Sequence, residues 1–258
     1  MTQVKDVERL LFDWAPAELA ADWDNVGLLV GDPDREVRKI LTTLDITESV
    51  VEEAIHLGAD LIVSHHPVMN CTWHPVQSIR CDTRQGRILT KLAENRISAI
   101  CMHTNLDAAE GGVNDMLAKK LGLLDIKDLT DGKIGRVGTL KYEFPLVEFT
   151  RFVVKSLGCN GLRYTDCGKS VHRVAVGGGA CGDYIAQAIA LGCDTFVTSD
   201  LRYHDFLDTK ELNLIDAGHF PTEQVVVPEL CRRLQAVFPA VSVSTSTSHQ
   251  TEVIQYCI

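Results

Sequence analysis

The sequence predicts an α/β protein made of two related α/β lobes, and three observations carry that expectation. Short apolar runs alternate with helical patterns along most of the chain. One block recurs: residues 54–64 (AIHLGADLIVS) align with residues 188–198 (AIALGCDTFVT), identical at six of eleven positions. In both halves, histidines and carboxylates follow directly on apolar runs, at the carboxyl strand ends where open α/β sheets place ligands.

The bulk properties bound the function. With 258 residues, 45% of them hydrophobic, the chain can bury a core as one large or two small domains. Its formal charge is 25 − 35 = −10, so nucleic acid and anionic membrane surfaces are not expected partners. Nine cysteines, an odd number with no CxxC pair, fit a reducing cytoplasm. The first residues, MTQVKDVERLLFDWAPAEL, lack the basic end and unbroken apolar core of a signal peptide. No apolar run reaches the roughly 18 residues of a membrane span.

Taken in order, Val4, Val7, Leu11 and Trp14 are spaced as one face of a first helix. WDNVGLLVGD (23–32) reads as a turn entering a strand. A strand at 39–44, a helix at 48–57 closed by Gly58 and a strand at 60–63 make a βαβ unit. Residues 68–83 are irregular and carry Trp73 and His74; a helix at 85–95 and a strand at 97–102 follow. HTNLD (103–107) comes next, and AAEGGVNDMLAKKLG begins a helix. A boundary is expected near 125–133, then a strand at 136–144 and a helix from Leu146 to Leu157 closed by Gly158. From His172 the βα pattern resumes: RVAV, a glycine turn, a helix in DYIAQAIALG, the strand DTFVTSD, a helix at 203–210, the strand LNLIDAG, and HFPTE opening another helix. VSVSTSTS reads as an edge strand. The expected lobes are 1–127, completed by 224–258, and 128–223.

The candidate chemistry centres on Ser64-His65-His66-Pro67. An adjacent His pair closed by proline at a strand end suits metal ligation, though it also occurs as a solvated loop. Upstream of each copy of the repeat, ILTTL (40–44) falls on VAVGG (174–178). Downstream, at a shifted offset, His103-x3-Asp107 falls on His219-x3-Glu223. His65, His66 and Asp107 from one lobe can thus meet His219 and Glu223 from the other in the cleft between them. Pro221 suits a first helical turn, which turns Glu223 toward the same centre as His219. Three imidazoles and two carboxylates exceed one closed structural zinc site. They suit two divalent ions, with Glu223 as the bridging candidate. Zinc, iron, manganese and nickel all accept such donors.

SHHP, HTNLDAAEGGVND and GHFPTE, in this order, resemble the motifs of the Nif-three-like family, the GTP cyclohydrolase I type 2 homologues. WDNVGLLVGD, RVAVGGGACGD and TSDLRYHD are also similar, so the resemblance runs from near the start to about residue 235. It implies a dinuclear centre at the positions matching His65, His66, Asp107, His219 and Glu223, two metal ions per subunit, and a ring-shaped homohexamer. This chain would be the short form of a family that also has members with an inserted domain. The activity implied is hydrolysis of a nucleotide-like or other small substrate by metal-activated water. His103 is then the candidate for moving protons, or else a residue orienting a ligand.

Two other readings compete. A metal-binding regulatory or interaction ring without catalysis uses the same ligands. Gly177, Gly179 and Gly182 spell GxGxxG after a strand, with Asp200 at the end of the next, which suggests an NAD(P)-binding oxidoreductase. That reading leaves the His and Glu residues of both halves unexplained; a tight turn of helix against sheet explains the glycines equally. Asp200, Arg202 and His204 are placed either at the cleft border or at a solvated helix start. His74 is a candidate lid residue or ordinary loop packing. His56, His172 and His249 are assigned no chemistry.

Overall fold

The computed structural model describes residues 1–71, 75–249 and 253–257. His74 and its neighbour Trp73 lie outside the described residues. Two compact units are present: Met1–Ala109 with Val227–Gln250, and Glu110–Val226 with Thr251–Ile258.

The first unit opens with α1 (Val4–Trp14), which buries Val4, Val7 and Leu11 at helical spacing. β1 (Gly27–Val30) and β2 (Lys39–Thr43) lead to α2 (Glu48–Leu57). The Thr47 hydroxyl accepts from Val50 N–H at 3.2 Å to start α2, and Gly58 ends it in the left-handed conformation. β3 (Leu61–Ser64), α3 (Arg84–Glu94), β4 (Ser98–Cys101) and α4 (Thr104–Ala108) follow.

The second unit comprises α5 (Val113–Lys120), β5 (Leu124–Asp128), β6 (Arg136–Phe144), α6 (Leu146–Leu157), β7 (Arg163–Thr165), β8 (Val171–Val176), α7 (Ile185–Ala190), β9 (Thr195–Thr198), α8 (Tyr203–Asp208), β10 (Asn213–Asp216) and α9 (His219–Glu223). α10 (Val227–Val237) and β11 (Ser242–Thr245) belong again to the first unit. Among the described residues no helix is long and apolar enough to cross a membrane.

The first unit's sheet has the order β1-β4-β3-β2-β11, parallel except for the antiparallel edge strand β1. β2, β3 and β4 are almost wholly buried, so they read as continuous apolar runs rather than alternations. The second unit's sheet has the order β5-β6-β8-β9-β10-β7; β8, β9 and β10 are parallel, and the other three strands run antiparallel to their neighbours.

One local arrangement recurs in both units. Before β3, an Asp60 carboxylate oxygen accepts the amides of Arg38 and Lys39 at 2.9 and 3.1 Å. Before β9, Asp194 accepts those of His172 and Arg173 at 2.9 and 2.6 Å. Each aspartate lies two residues after a left-handed glycine, Gly58 or Gly192.

Three elements differ from the sequence expectation. β5 occupies part of the stretch read as a boundary; it is an exposed edge strand whose charged residues hide its pairing with β6. β7 is three residues long and largely exposed, so it carries no apolar pattern. α4 is a single turn inside HTNLDA, too short for helical periodicity.

The 110–115 stretch of the HTNLDAAEGGVND motif is structural. The Asp115 carboxylate accepts from Arg136 Nε at 2.7 Å and from the Gly111 amide, and both members of the ion pair are buried. Asn114 Oδ1 accepts the Gly178 amide at 2.9 Å.

Candidate metal centre

In the first unit the donors stand at the carboxyl ends of the parallel strands. His65 and His66 continue β3: their amides donate to Thr43 O and Leu44 O, at 3.3 and 2.9 Å, and Ser64 Oγ donates to His66 O at 2.8 Å. This pins the backbone of the pair. His65 is fully buried. Its Nδ1 lies 2.8 Å from Met102 O, and a carbonyl only accepts, so Nδ1 bears the hydrogen. The lone pair of the neutral ring is therefore on Nε2.

His66 Nδ1 lies 2.7 Å from Asp45 Oδ1, and the other oxygen of Asp45 lies 2.7 Å from His249 Nε2. His103, two residues after β4, has Nδ1 2.9 Å from Asp24 Oδ1, while Asp24 Oδ2 accepts the Thr104 amide at 3.0 Å. The centroids of the three rings are 5.0 Å (His65 to His66), 5.2 Å (His65 to His103) and 5.6 Å (His66 to His103) apart. One ring nitrogen from each lies within 4.8 Å of the others. The single turn of α4, whose Asp107 amide donates to His103 O at 3.0 Å, brings Asp107 Oδ1 to 3.7 Å from His65 Nε2.

Burial opposes ionisation of Asp24 and Asp45, yet hydrogen bonds from His103 and Thr104 to the first, and from His249 and His66 to the second, hold both below the ordinary carboxylate range. Ionised carboxylates keep hydrogen on the nitrogen that faces them.

In the second unit His219 begins α9 directly after Gly218, whose φ of 87° turns the chain out of β10. Its Nδ1 lies 2.6 Å from Asp200 Oδ2 and its Nε2 3.0 Å from Glu223 Oε2, the i, i+4 contact of a helical turn. Asp200 is itself left-handed, φ 55°, at the end of β9. Burial lowers the His219 pKa, but the Glu223 charge and the Asp200 hydrogen bond outweigh it and push it up to about 11.

The glycine loop serves this turn. Gly179 has φ 65°, and a Cβ there would stand 2.1 Å from Glu223 Oε1. The amides of Gly177, Gly178 and Gly179 donate to Val197 O, Asn114 Oδ1 and Thr222 Oγ1 at 2.9, 2.9 and 3.0 Å. All three are satisfied by the protein, so these glycines pack the loop against β9, α5 and α9.

The donor chemistry fits divalent metal. Imidazole and carboxylate suit zinc, iron, manganese and nickel. Each of His65, His66 and His219 has its Nδ1 against an oxygen acceptor, the outer-sphere arrangement that orients a ligating Nε2.

Sequence reasoning missed Asp24 and Asp45. Asp45 lies two residues after the β2 end and was findable by the strand-end rule; Asp24 sits in the WDN turn with no such signal. His249, assigned no chemistry from the sequence, is a partner of Asp45. Arg202 bonds Asp205 at the start of α8, and His204 meets Tyr203 edge-on, so these two belong to a helix start.

Compared with known proteins, the family model described as Duf34/NIF3 (NGG1p interacting factor 3) matches residues 2–252. A Clostridium perfringens protein named GTP cyclohydrolase 1 type 2 homolog is 36% identical over 242 residues, covering 90% of this chain and 91% of that protein. Among solved structures, a Bacillus cereus protein related to NIF3 superposes with a TM-score of 0.92 at 25% identity, covering 100% of this chain and 99% of that one. A hypothetical protein of Staphylococcus aureus does so at 0.90 and 32% identity, covering 99% of each. The chain belongs to the DUF34/NIF3 family.

Proposed function

We propose that this protein is a dinuclear-metal-dependent hydrolase acting on a nucleotide-like or other small substrate. His65, His66 and Asp107 from the first unit and His219 and Glu223 from the second would hold the two ions, with Glu223 the bridging candidate. The observation that carries the reading is the shared posture of the imidazoles. His65, His66 and His219 each present Nδ1 to an oxygen acceptor, Met102 O, Asp45 and Asp200, which leaves Nε2 as the ligating atom. The recurrence of the Asp60 arrangement at Asp194 supports the duplication that would supply two comparable half-sites.

Bound at these donors, divalent ions supply an activated water and polarise the substrate atom it attacks. His103 moves the proton at Nε2, and Asp24 keeps its Nδ1 protonated and its ring fixed. Nucleotides are the first substrates to try, since relatives carry the name GTP cyclohydrolase 1 type 2 homolog.

Metal counting on the purified protein, with light scattering for the homohexamer and a GTP and metabolite turnover assay, tests the reading. We expect close to two metals per subunit, falling in Glu223→Ala and His65→Ala, and turnover that falls with them. Less than one tightly held metal, unchanged in Glu223→Ala, overturns the ligand assignment. Full metal content without turnover of any compound overturns the hydrolase.

A further inference from the structure

Among the described residues, four helices end on the same hydrogen-bond pattern. After α2 the amides of Gly58 and Ala59 donate to Ile55 O and Ala54 O; after α5 those of Gly122 and Leu123 donate to Lys119 O and Ala118 O; after α7 those of Gly192 and Cys193 donate to Ile189 O and Ala188 O. The left-handed residue in these three is glycine, with φ of 64, 72 and 70°, and nothing stands within 4 Å of where a Cβ would be. α3 closes in the same way, Arg96 N–H to Ala93 O and Ile97 N–H to Leu92 O, but the left-handed residue is an arginine, φ 53°. Glycine is the ordinary solution at such a position and an L side chain is disfavoured there. The backbone gives no reason for Arg96, so the reason lies in its side chain.

Arg96, an exposed residue, is among those lining a cavity of about 410 Å³ in the first unit, within the size range of small-molecule sites. Arg35 lines it too, and its Nε is buried with no hydrogen-bond partner among the described residues. Ser98, at the start of β4, is 1% exposed, and its Oγ likewise has no partner among them. A Cβ at Gly31 would lie 2.2 Å from that oxygen, so the glycine leaves the room in which the hydroxyl sits. Leu92 and Ile97 form apolar wall, and Asp32 completes the polar lining. Two buried donors lacking an acceptor call for one. The lining carries two arginines and one aspartate, and Asp60, 3.7 Å from Arg35 Nη2, takes up part of the remaining positive charge, so the site suits a monoanion better than a phosphate dianion.

We propose that this cavity binds a small monocarboxylate with a short apolar body. The carboxylate accepts from Arg35 Nε and Ser98 Oγ, the Arg96 guanidinium supplies the second charge, and the body lies on Leu92 and Ile97. Ser98 and His103 stand at opposite ends of β4, so the site is separate from the histidine cluster and does not depend on the metal reading.

Calorimetric titration with 4-methylpentanoate and benzoate tests this, with 4-methylpentanamide and inorganic phosphate as controls, on the wild type, Arg96→Gly, Arg35→Gln and Ser98→Ala. Saturable binding of the carboxylates is expected, with none of the amide and weaker binding of phosphate. Arg96→Gly is expected to weaken carboxylate binding about tenfold or more while its Tm stays unchanged or rises, because glycine relieves the left-handed position. Absence of saturable carboxylate binding, equal binding of the amide, or phosphate binding tighter than the carboxylates overturns the proposal. So does undiminished binding in Arg96→Gly, or a lowered Tm in that variant, which would make Arg96 a structural residue.

Discussion

Asp45 Oδ1 lies 2.7 Å from His66 Nδ1, and the same carboxylate takes His249 Nε2 through its second oxygen, also at 2.7 Å. The bond to His66 fixes which ring nitrogen carries hydrogen, and an aspartate held below the ordinary carboxylate range stays charged through the neutral pH region. Asp45→Asn is therefore expected to weaken metal binding about 10–100-fold with the fold intact. Competition with a chelator measures the affinity and circular dichroism the fold; an unchanged affinity would remove His66 from the ligand set.

With His219 in the proposed ligand set, metal uptake is expected to depend on pH. Its folded pKa of about 11 lies above its ordinary 6.5. The ion pairs with Asp200 and Glu223 therefore stabilise the metal-free fold fully below 6.5, and that contribution is lost as pH rises through about 11. At neutral pH a metal ion taking the Nε2 lone pair would displace the imidazolium proton to solvent. Metal addition in weak buffer is expected to release a proton that His219→Ala does not release, with apparent affinity rising from pH 6 to 9.

Glu53 tethers the segment after β11. Its carboxylate accepts from Ser246 Oγ, Thr247 N and Ser248 N at 2.6, 2.8 and 3.0 Å. Burial raises its pKa, but these hydrogen bonds outweigh it and bring it from 4.5 down to about 2. The stability they add is present above 4.5 and lost as pH falls through 2. The protection of the Thr247 and Ser248 amides relative to their intrinsic exchange at each pH should fall on acidification across that window; in Glu53→Gln it should be low already at neutral pH.

Asp115 and Arg136 form a buried ion pair, with side chains 11% and 4% exposed. Removing the carboxylate leaves the guanidinium with Asp128, 3.4 Å from its Nη1, and the Lys133 and Gly135 carbonyls, so Asp115→Ala should cost about 1–3 kcal/mol in urea unfolding. The double replacement Asp115→Leu with Arg136→Met should recover part of that loss.

Local order was legible where local chemistry sets it. The sequence expectation for α2 and for α6 matches the observed bounds, because Thr47 with Gly58, and Pro145 with Gly158, mark their ends within the segment itself. β3 and β4 were within a residue or two, being continuous apolar runs. β5, β7 and α4 were not, since exposed edge strands and a single helical turn bury too little to leave a pattern.

The sequence by itself picked out the candidate residues: His65, His66, His103 and Asp107 come after strands whose apolar runs are unmistakable, and HFPTE places His219 and Glu223 on one helical turn. Only the tertiary structure decided what orients them. Asp24 reaches His103 across 79 positions, and His249 reaches Asp45 across 204. Periodicity reports burial along one element, whereas a hydrogen bond between elements depends on register and strand order. Those arise only when the β1-β4-β3-β2-β11 sheet has assembled and brought the carboxyl ends of β2 and β3, and the segment after β11, to one edge.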